Sequence, residues 1–151
     1  MPCFQPTRLT ARRNFGLEQN LTANLTAFGR FGWNNGKTES FAYTEVEQTF
    51  AGGLGANGAI WHRSHDRSGV ALVSNAIKKD HQIYLAEGGL GFLLGDGRLN
   101  YGRENIIEWY YSAHAWRGAY LGLGLQYITN PGYNRDRGPV LIPGFRLHLE
   151  F

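Results

Sequence analysis

The stretch that decides the fold is the last one in the chain, Val140-Leu141-Ile142-Pro143-Gly144-Phe145-Arg146-Leu147-His148-Leu149-Glu150-Phe151. Side chains of a β-strand point alternately to two faces, and here one face is apolar while the other is largely polar. About ten residues of a tilted strand span a bilayer. The stretch therefore predicts the closing strand of an outer-membrane β-barrel, although an edge strand of a soluble sheet would alternate in the same way. The apolar residues that end on the terminal aromatic are predicted to form the signal read by the barrel assembly machinery: Phe145, Leu147, Leu149 and Phe151.

The composition favours strands and turns over helices. Glycine occurs 21 times and aromatic residues make up 14% of the chain, while 42% hydrophobic and 18% charged residues exclude a disordered chain. No run of about 18 apolar residues is present, so there is no candidate transmembrane helix, but strands of a barrel give a weak hydropathy signal in any case. The basic residues behind the net charge of +3 are scattered and do not indicate a nucleic-acid partner. The single Cys3 excludes an internal disulfide and a zinc cluster of cysteines.

Six further segments alternate upstream, which gives about seven strands. They cover residues 13–22, 25–34, 44–58, 68–77, 104–115 and 118–129. The connections near residues 22–24 and 116–118 are tight, whereas 34–43, 78–103 and 130–139 are long, and short connections imply antiparallel hairpins. If Phe151 ends on the periplasmic side, the long loops lie outside, which is the usual asymmetry of an outer-membrane barrel.

The long connection 78–103 interrupts the strand pattern. Residues 80–87 are predicted to form a short helix, while 88–97 are too rich in glycine for a stable helix and end in a Gly-Asp-Gly turn. Loops of this length are usually functional. We expect this one to fold inward and narrow a channel.

Several motifs resemble one family. The run Asn130-Pro131-Gly132-Tyr133-Asn134-Arg135-Asp136-Arg137-Gly138-Pro139-Val140, which leads into the final strand, resembles the C-terminus of the carbohydrate-selective porins, the OprB family. The same family is indicated upstream by Gly32-Trp33-Asn34-Asn35-Gly36, Gly95-Asp96-Gly97 and Glu108-Trp109-Tyr110-Tyr111. The resemblance covers residues 14–151 and leaves 1–13 as a tail outside the family. It departs from the family at Arg103, where members have proline after Tyr-Gly.

The resemblance implies a sixteen-stranded barrel of the outer membrane of a Gram-negative bacterium, of the size that leaves an aqueous channel. Such a porin lets monosaccharides and small oligosaccharides diffuse passively into the periplasm. It is not an enzyme and needs no cofactor. The implied partners are carbohydrates, outer-membrane lipid and the assembly machinery, with a homotrimer for the full-length parent. Because residues 1–13 lack a signal peptide, we expect this chain to be the C-terminal part of a longer protein.

A sugar channel needs planar polar groups that bond hydroxyls and aromatic faces that cover the apolar side of the sugar. Parity along the strands predicts which side chains face the lumen, and we expect Arg30, Glu47 and Glu108 to contact the ligand. The full predicted channel-lining, sugar-binding set is Arg30, Glu45, Glu47, Glu108, Gln126, Arg146 and His148.

Three sharper motifs do not carry a function. Residues 53–58 match G-x-G-x-x-G, but no crossover helix follows, and we expect these glycines to let the barrel wall bend. His62 and His65 lack a third metal ligand nearby. Glu45 and Glu47 would lie about 7 Å apart on one strand, whereas a glycosidase needs a pair across a cleft.

Three alternatives stay open at this point. The first is a soluble eight-stranded barrel that binds a small ligand, with its apolar face pointing inward. The second is an outer-membrane enzyme or a complete small barrel, although bacterial single-chain barrels use an even number of strands. The third is a truncated chain with no independent function. Since lipid does not tolerate unpaired sheet edges, we predict that this chain alone does not form a sealed pore.

Overall fold

The computed structural model describes residues 12–34, 46–89, 94 and 97–150. Within these residues the chain forms one antiparallel sheet of seven strands, and their order in the sheet is their order in the sequence. The strands are β1 Arg12–Thr22, β2 Leu25–Asn34, β3 Gln48–Asn57, β4 Arg67–Ala76, β5 Glu104–Trp116, β6 Ala119–Thr129 and β7 Val140–Leu149. The prediction of about seven antiparallel strands in an all-β fold is confirmed for the described residues.

The two ends of the sheet differ in the length of the connections between strands. At the short-turn end, two-residue turns at 23–24 and 117–118 join β1 to β2 and β5 to β6, and Gly118 takes the positive φ of +67° that such a turn requires. A 3₁₀ helix, Gly58–Trp61, opens the connection from β3 to β4 at the same end. The segments 35–47, 77–103 and 130–139 connect strands at the opposite, long-loop end. The predicted alternation of short and long connections is therefore present.

The strand register fixes two faces of the sheet. Phe28 lies opposite Gly53, Gly53 opposite Ala71, Ala71 opposite Glu108, and Glu108 opposite Gln126. Directly paired residues point to the same side of a sheet. We call the side that contains this row the polar face and the other side the apolar face.

The apolar face consists of large side chains that remain exposed. Phe15, Phe31 and Phe50 lie opposite one another on β1, β2 and β3, with 68%, 48% and 58% of their surface accessible. On β7, Phe145 is 71% exposed. In the soluble eight-stranded alternative this face would be buried as the core, whereas in the described strands it stays exposed.

A small core lies at the long-loop end, among residues of the connections between strands. Ile77, Leu85, Leu94 and Tyr133 are buried together, with Leu99 packed against them. Leu85 belongs to helix α1, Lys79–Ala86, which confirms the helix predicted at residues 80–87 within about one residue. The described parts of the connections 77–103 and 130–139 therefore pack against each other. Among the described residues, no helix has the length and apolar character needed to cross a membrane.

Glu47 contacts the start of α1 and does not lie on the channel wall, where it was predicted. Parity predicted strand residues 44–58 with Glu47 on the channel wall, but β3 begins at Gln48 and Glu47 is only 7% exposed. Its carboxylate accepts a hydrogen bond from the backbone N–H of Lys78 and lies 3.1 Å from Nδ1 of His81. Burial raises the pKa of this carboxyl, but the bonds from His81 and Lys78 outweigh it and leave the pKa lowered. Glu47 thus anchors the loop helix because its acceptor positions are occupied by that helix.

Candidate functional site

Two grooves open on the polar face and share a border. One, of about 590 Å³, is lined among others by Glu18, Thr26, Phe28, Arg30 and Asn57. The other, of about 570 Å³, is lined among others by Tyr120, Gln126, Arg146 and His148. Residues that line both grooves form the border between them: Arg67, Glu108 and Tyr110.

The structure brings most of the predicted channel-lining residues to this face. Arg30 lies in the first groove, and Gln126, directly opposite Glu108, lies in the second. Arg146 and His148 follow on β7, where Arg146 lies opposite Gly122. Glu45 lies outside the described residues, and Glu47 is buried under α1. That these side chains contact a sugar stays a prediction.

Two aromatic rings of the polar face lie flat over glycines of the neighbouring strand. A Cβ on Gly53 would stand 2.6 Å from Cε1 of Phe28, and a Cβ on Gly69 would stand 2.6 Å from Cε1 of Tyr110. Each glycine lies directly opposite the ring it accommodates. These glycines therefore provide space for rings between β2, β3, β4 and β5, which keep a regular register here. That the glycines of residues 53–58 let the barrel wall bend stays a prediction.

A row of rings crosses the polar face at the short-turn end. The centroids of His65 and His114 are 5.0 Å apart, those of His114 and Tyr120 5.1 Å, and those of Tyr120 and His148 6.0 Å. Nε2 of His148 lies 3.2 Å from Oε1 of Glu150. We call these four rings the rim row. It continues the second groove, which Tyr120 and His148 also line.

Of the three border residues, Tyr110 and Arg67 lie outside the predicted channel-lining set. Arg67 is the first residue of β4. It lies opposite both Asn57 and Ser112, which places it on the polar face. The predicted strand 68–77 begins one residue after Arg67, so parity assigned this side chain to neither face. The signal that could have found it is its place one step before Ser68, in phase with Gly69.

Asp66, the neighbour of Arg67, is the most deeply buried charged residue among those described. It is 1% exposed, and its carboxylate accepts bonds from the hydroxyl of Tyr111 at 2.5 Å and from the backbone N–H of His114 at 2.9 Å. Nε of Arg63 donates to it at 2.5 Å. The indole N–H of Trp61 donates to the Tyr111 oxygen at 3.2 Å. This network, the Asp66 knot, fastens the connection from β3 to β4 onto β5.

The pKa of Asp66 reflects these bonds. The guanidinium of Arg63 lowers it, burial raises it, and the bonds from Tyr111 and His114 lower it further, to about 2. The aspartate is therefore ionised at all but strongly acidic pH. It positions the short-turn end of the polar face, because Arg67 follows it directly.

The motifs set aside in the sequence keep structural roles. Gly58 is buried at the start of the 3₁₀ helix, where a Cβ would collide with the carbonyl of Arg63. His62 takes a left-handed conformation and ends that helix. No group of three or more potential metal ligands occurs in the part of the chain that the structure describes.

The residues predicted to form the assembly signal share one face where they are described. Phe145, Leu147 and Leu149 lie on the apolar face of β7, exposed by 71%, 57% and 49%. Phe151 lies outside the described residues. Their recognition by the assembly machinery stays a prediction.

A sheet with an exposed apolar face on one side and a grooved polar face on the other is the wall of a porin-type β-barrel. A family model described as "Carbohydrate-selective porin, OprB family" matches residues 8–151. The chain belongs to this family.

Among solved structures, the chain is similar to the high-pH structure of Pseudomonas putida OprB, with a TM-score of 0.70 and 21% sequence identity. The similarity covers 90% of this chain and 34% of that one, so the chain spans about a third of the length of the porin that it matches. At this identity the likeness shows the fold alone. No curated protein sequence matches the chain. The predicted division into a tail, 1–13, and a barrel part, 14–151, stays a prediction.

Proposed function

We propose that this chain supplies seven adjacent strands in the wall of an outer-membrane channel through which mono- and small oligosaccharides diffuse passively into the periplasm. The observation that carries the proposal is the polar face. There, charged side chains of both signs border grooves that also contain flat aromatic rings. Membership of a carbohydrate-selective porin family supports the same reading.

The chemistry of the border residues suits a sugar. Arg67 offers five N–H donors in a fixed plane and Glu108 offers two acceptor oxygens, which match neighbouring hydroxyls. Tyr110 lies beside them with its ring over Gly69, so that it can cover an apolar sugar face. Contacts spread along two grooves favour entry without trapping the sugar, since conduction requires sites that bind weakly and in series.

The proposal assigns passage and no chemical step, so the protein is not an enzyme in this interpretation. The outer edges of the sheet, β1 and β7, are proposed to pair with further strands, because lipid does not tolerate open sheet edges. A homotrimer and recognition of Phe145, Leu147 and Leu149 by the assembly machinery belong to the proposal for the full-length protein.

The test is sugar flux into proteoliposomes that contain the full-length protein. We expect swelling with glucose and maltose, slower swelling with larger oligosaccharides, and reduced affinity for sugar after Arg67→Gln or Glu108→Gln. Arg117→Gln, in the exposed turn between β5 and β6, is the control and leaves flux unchanged. Absence of sugar-dependent swelling from properly inserted protein would show that the proposal is wrong.

A further inference from the structure

Two cations lie on the apolar face at the long-loop end, where lipid would be expected. Nζ of Lys78 lies 4.5 Å from the ring centroid of Trp33. The guanidinium of Arg103 donates from Nε to the hydroxyl of Ser74 at 2.9 Å and from Nη1 to Oε1 of Gln48 at 3.5 Å. Trp33 and Gln48 lie directly opposite each other, so the two cations are held beside one cross-strand pair.

These cations lie at the position along the strands where the apolar face ends. Leu72, Ile107 and Tyr127 form an exposed row across β4, β5 and β6. One step further, about 7 Å along the strands, the same face is polar. That next row consists of Ser74, Asn105 and Thr129, in which the hydroxyl of Ser74 donates to Asn105 at 2.8 Å and the amide of Asn105 donates to Thr129 at 3.5 Å.

Neither cation forms an ion pair with a described carboxylate, although the charge of Lys78 helps to lower the pKa of Glu47. Glu47 accepts from the backbone N–H of Lys78, but its carboxylate is beyond ion-pair distance of the ammonium group. A positive charge next to lipid is least costly at the interface, where lipid phosphates can supply the missing negative charge.

We propose that Lys78, Arg103 and Trp33 form a binding site for the phosphate-bearing headgroup of a lipid in the leaflet at the long-loop end. Arg103 presents a planar fork that suits phosphate, and Lys78 adds a point charge. The exposed apolar rings below, including Phe31 and Phe50, would receive the acyl chains. The proposal rests on the proposed function, since it requires the apolar face to lie in a bilayer.

The proposed site also explains why the side chain of Arg103 lies along the apolar face of the sheet. Its guanidinium bonds Ser74 and Gln48, two side chains of the apolar face, which positions it toward lipid. Long cationic side chains near the ends of membrane-spanning segments reach the interface in this way. Arg103 is the position at which this sequence departs from the proline of the family.

The test measures binding of lipid A with two phosphates, and of lipid A without phosphates, to the full-length protein in detergent. At about a factor of five for each cation near a membrane surface, the wild type should prefer the phosphorylated lipid roughly twenty-five-fold. Lys78→Gln or Arg103→Gln should each reduce this preference to about fivefold, and the double variant should abolish it. The conservative changes Lys78→Arg and Arg103→Lys should retain most of it.

Arg117→Gln is the matched control, because it removes one positive charge at the short-turn end. An equal loss in this control, or an unchanged preference in the double variant, would overturn the site. If the double variant does not fold, the single variants decide by the same criterion.

Excess inorganic phosphate that fully displaces the lipid would overturn the headgroup site in favour of a free-phosphate site. A wild type that passes sugar but does not distinguish the two lipids refutes only the lipid site. One that distinguishes them but passes no sugar refutes only the porin proposal.

Discussion

The Asp66 knot gives the sharpest prediction about the stability of this sheet. Replacing Asp66 with Ala removes the acceptor for the Tyr111 hydroxyl and for the His114 backbone N–H. It also releases Arg63, whose guanidinium side chain is 54% exposed and can be solvated by water instead. The loss should therefore come from the two donors on β5 and not from the ion pair.

The expected magnitude follows from counting those donors. An unsatisfied donor costs about 1–3 kcal/mol when it is buried. Because Tyr111 and His114 are half-buried, we take the lower part of this range for each and expect Asp66→Ala to lower the free energy of unfolding by about 2–3 kcal/mol. Asp66→Asn keeps one acceptor oxygen and should cost about 1 kcal/mol.

The assay is urea unfolding of the full-length protein in lipid vesicles, followed by tryptophan fluorescence, with variants compared at equal lipid concentration. Asp136→Ala is the control, since Asp136 is exposed and accepts one bond from Asn100. We expect the control to lose less than about 1 kcal/mol. If Asp66→Ala costs no more than this control, the network does not fasten the connection to β5 and the reasoning is refuted.

The pH dependence has a definite sign. The pKa of Asp66 is lowered in the folded protein to about 2, below its ordinary value of 3.8. A carboxyl with a lowered folded pKa contributes stability that is present above its unfolded pKa and lost as the pH falls through its folded pKa. The wild type should therefore lose stability between about pH 4 and pH 2, and Asp66→Asn should lose less over this range.

The remaining predictions concern the polar face and its loop. Gly69→Val should displace the ring of Tyr110 and raise the sugar concentration that half-blocks ion current, whereas Gly55→Ala, with nothing within 4 Å of its Cβ, should not. Tyr120→Ala should interrupt the rim row and weaken sugar binding about fivefold in the same current assay, without unfolding the sheet. Glu47→Ala should free the start of α1 and increase limited proteolysis at residues 77–89, at a cost of about 1–2 kcal/mol in unfolding.

Most of the fold followed from the period of the sequence. Alternation over Val140–Phe151 predicted β7, which the structure gives as Val140–Leu149, and the same pattern gave the bounds of β2 without error. The pattern was sufficient because water on one face and lipid on the other impose period two on every strand. It overextended β3 at its start, where Val46 and Glu47 continue the alternation although they precede the strand.

The candidate site followed only in part. Parity brought Arg30, Glu108 and Gln126 to one face, because each lies inside a long strand. It could not find the Asp66 knot, whose two donors on β5 come from residues 45 and 48 positions away in the sequence. Contacts of that kind depend on how a connection folds back over the sheet, which the period of a strand does not record.

Arg67 and Arg103 together suggest a general way to interpret charged residues on the sheet of a barrel. Arg67 and Arg103 both lie at the edge of a strand, but Arg67 is on the polar face at the short-turn end and Arg103 is on the apolar face at the long-loop end. Parity alone would assign Arg103 to lipid and treat it as an error. Its height along the strand, level with the hydrogen-bonded row that contains Ser74, places it where headgroups begin. For a charged side chain on the lipid side of a barrel, the position along the strand should therefore be determined first. In the middle of the hydrocarbon core the charge destabilises the barrel, whereas at the boundary row it can bind a lipid headgroup of opposite charge.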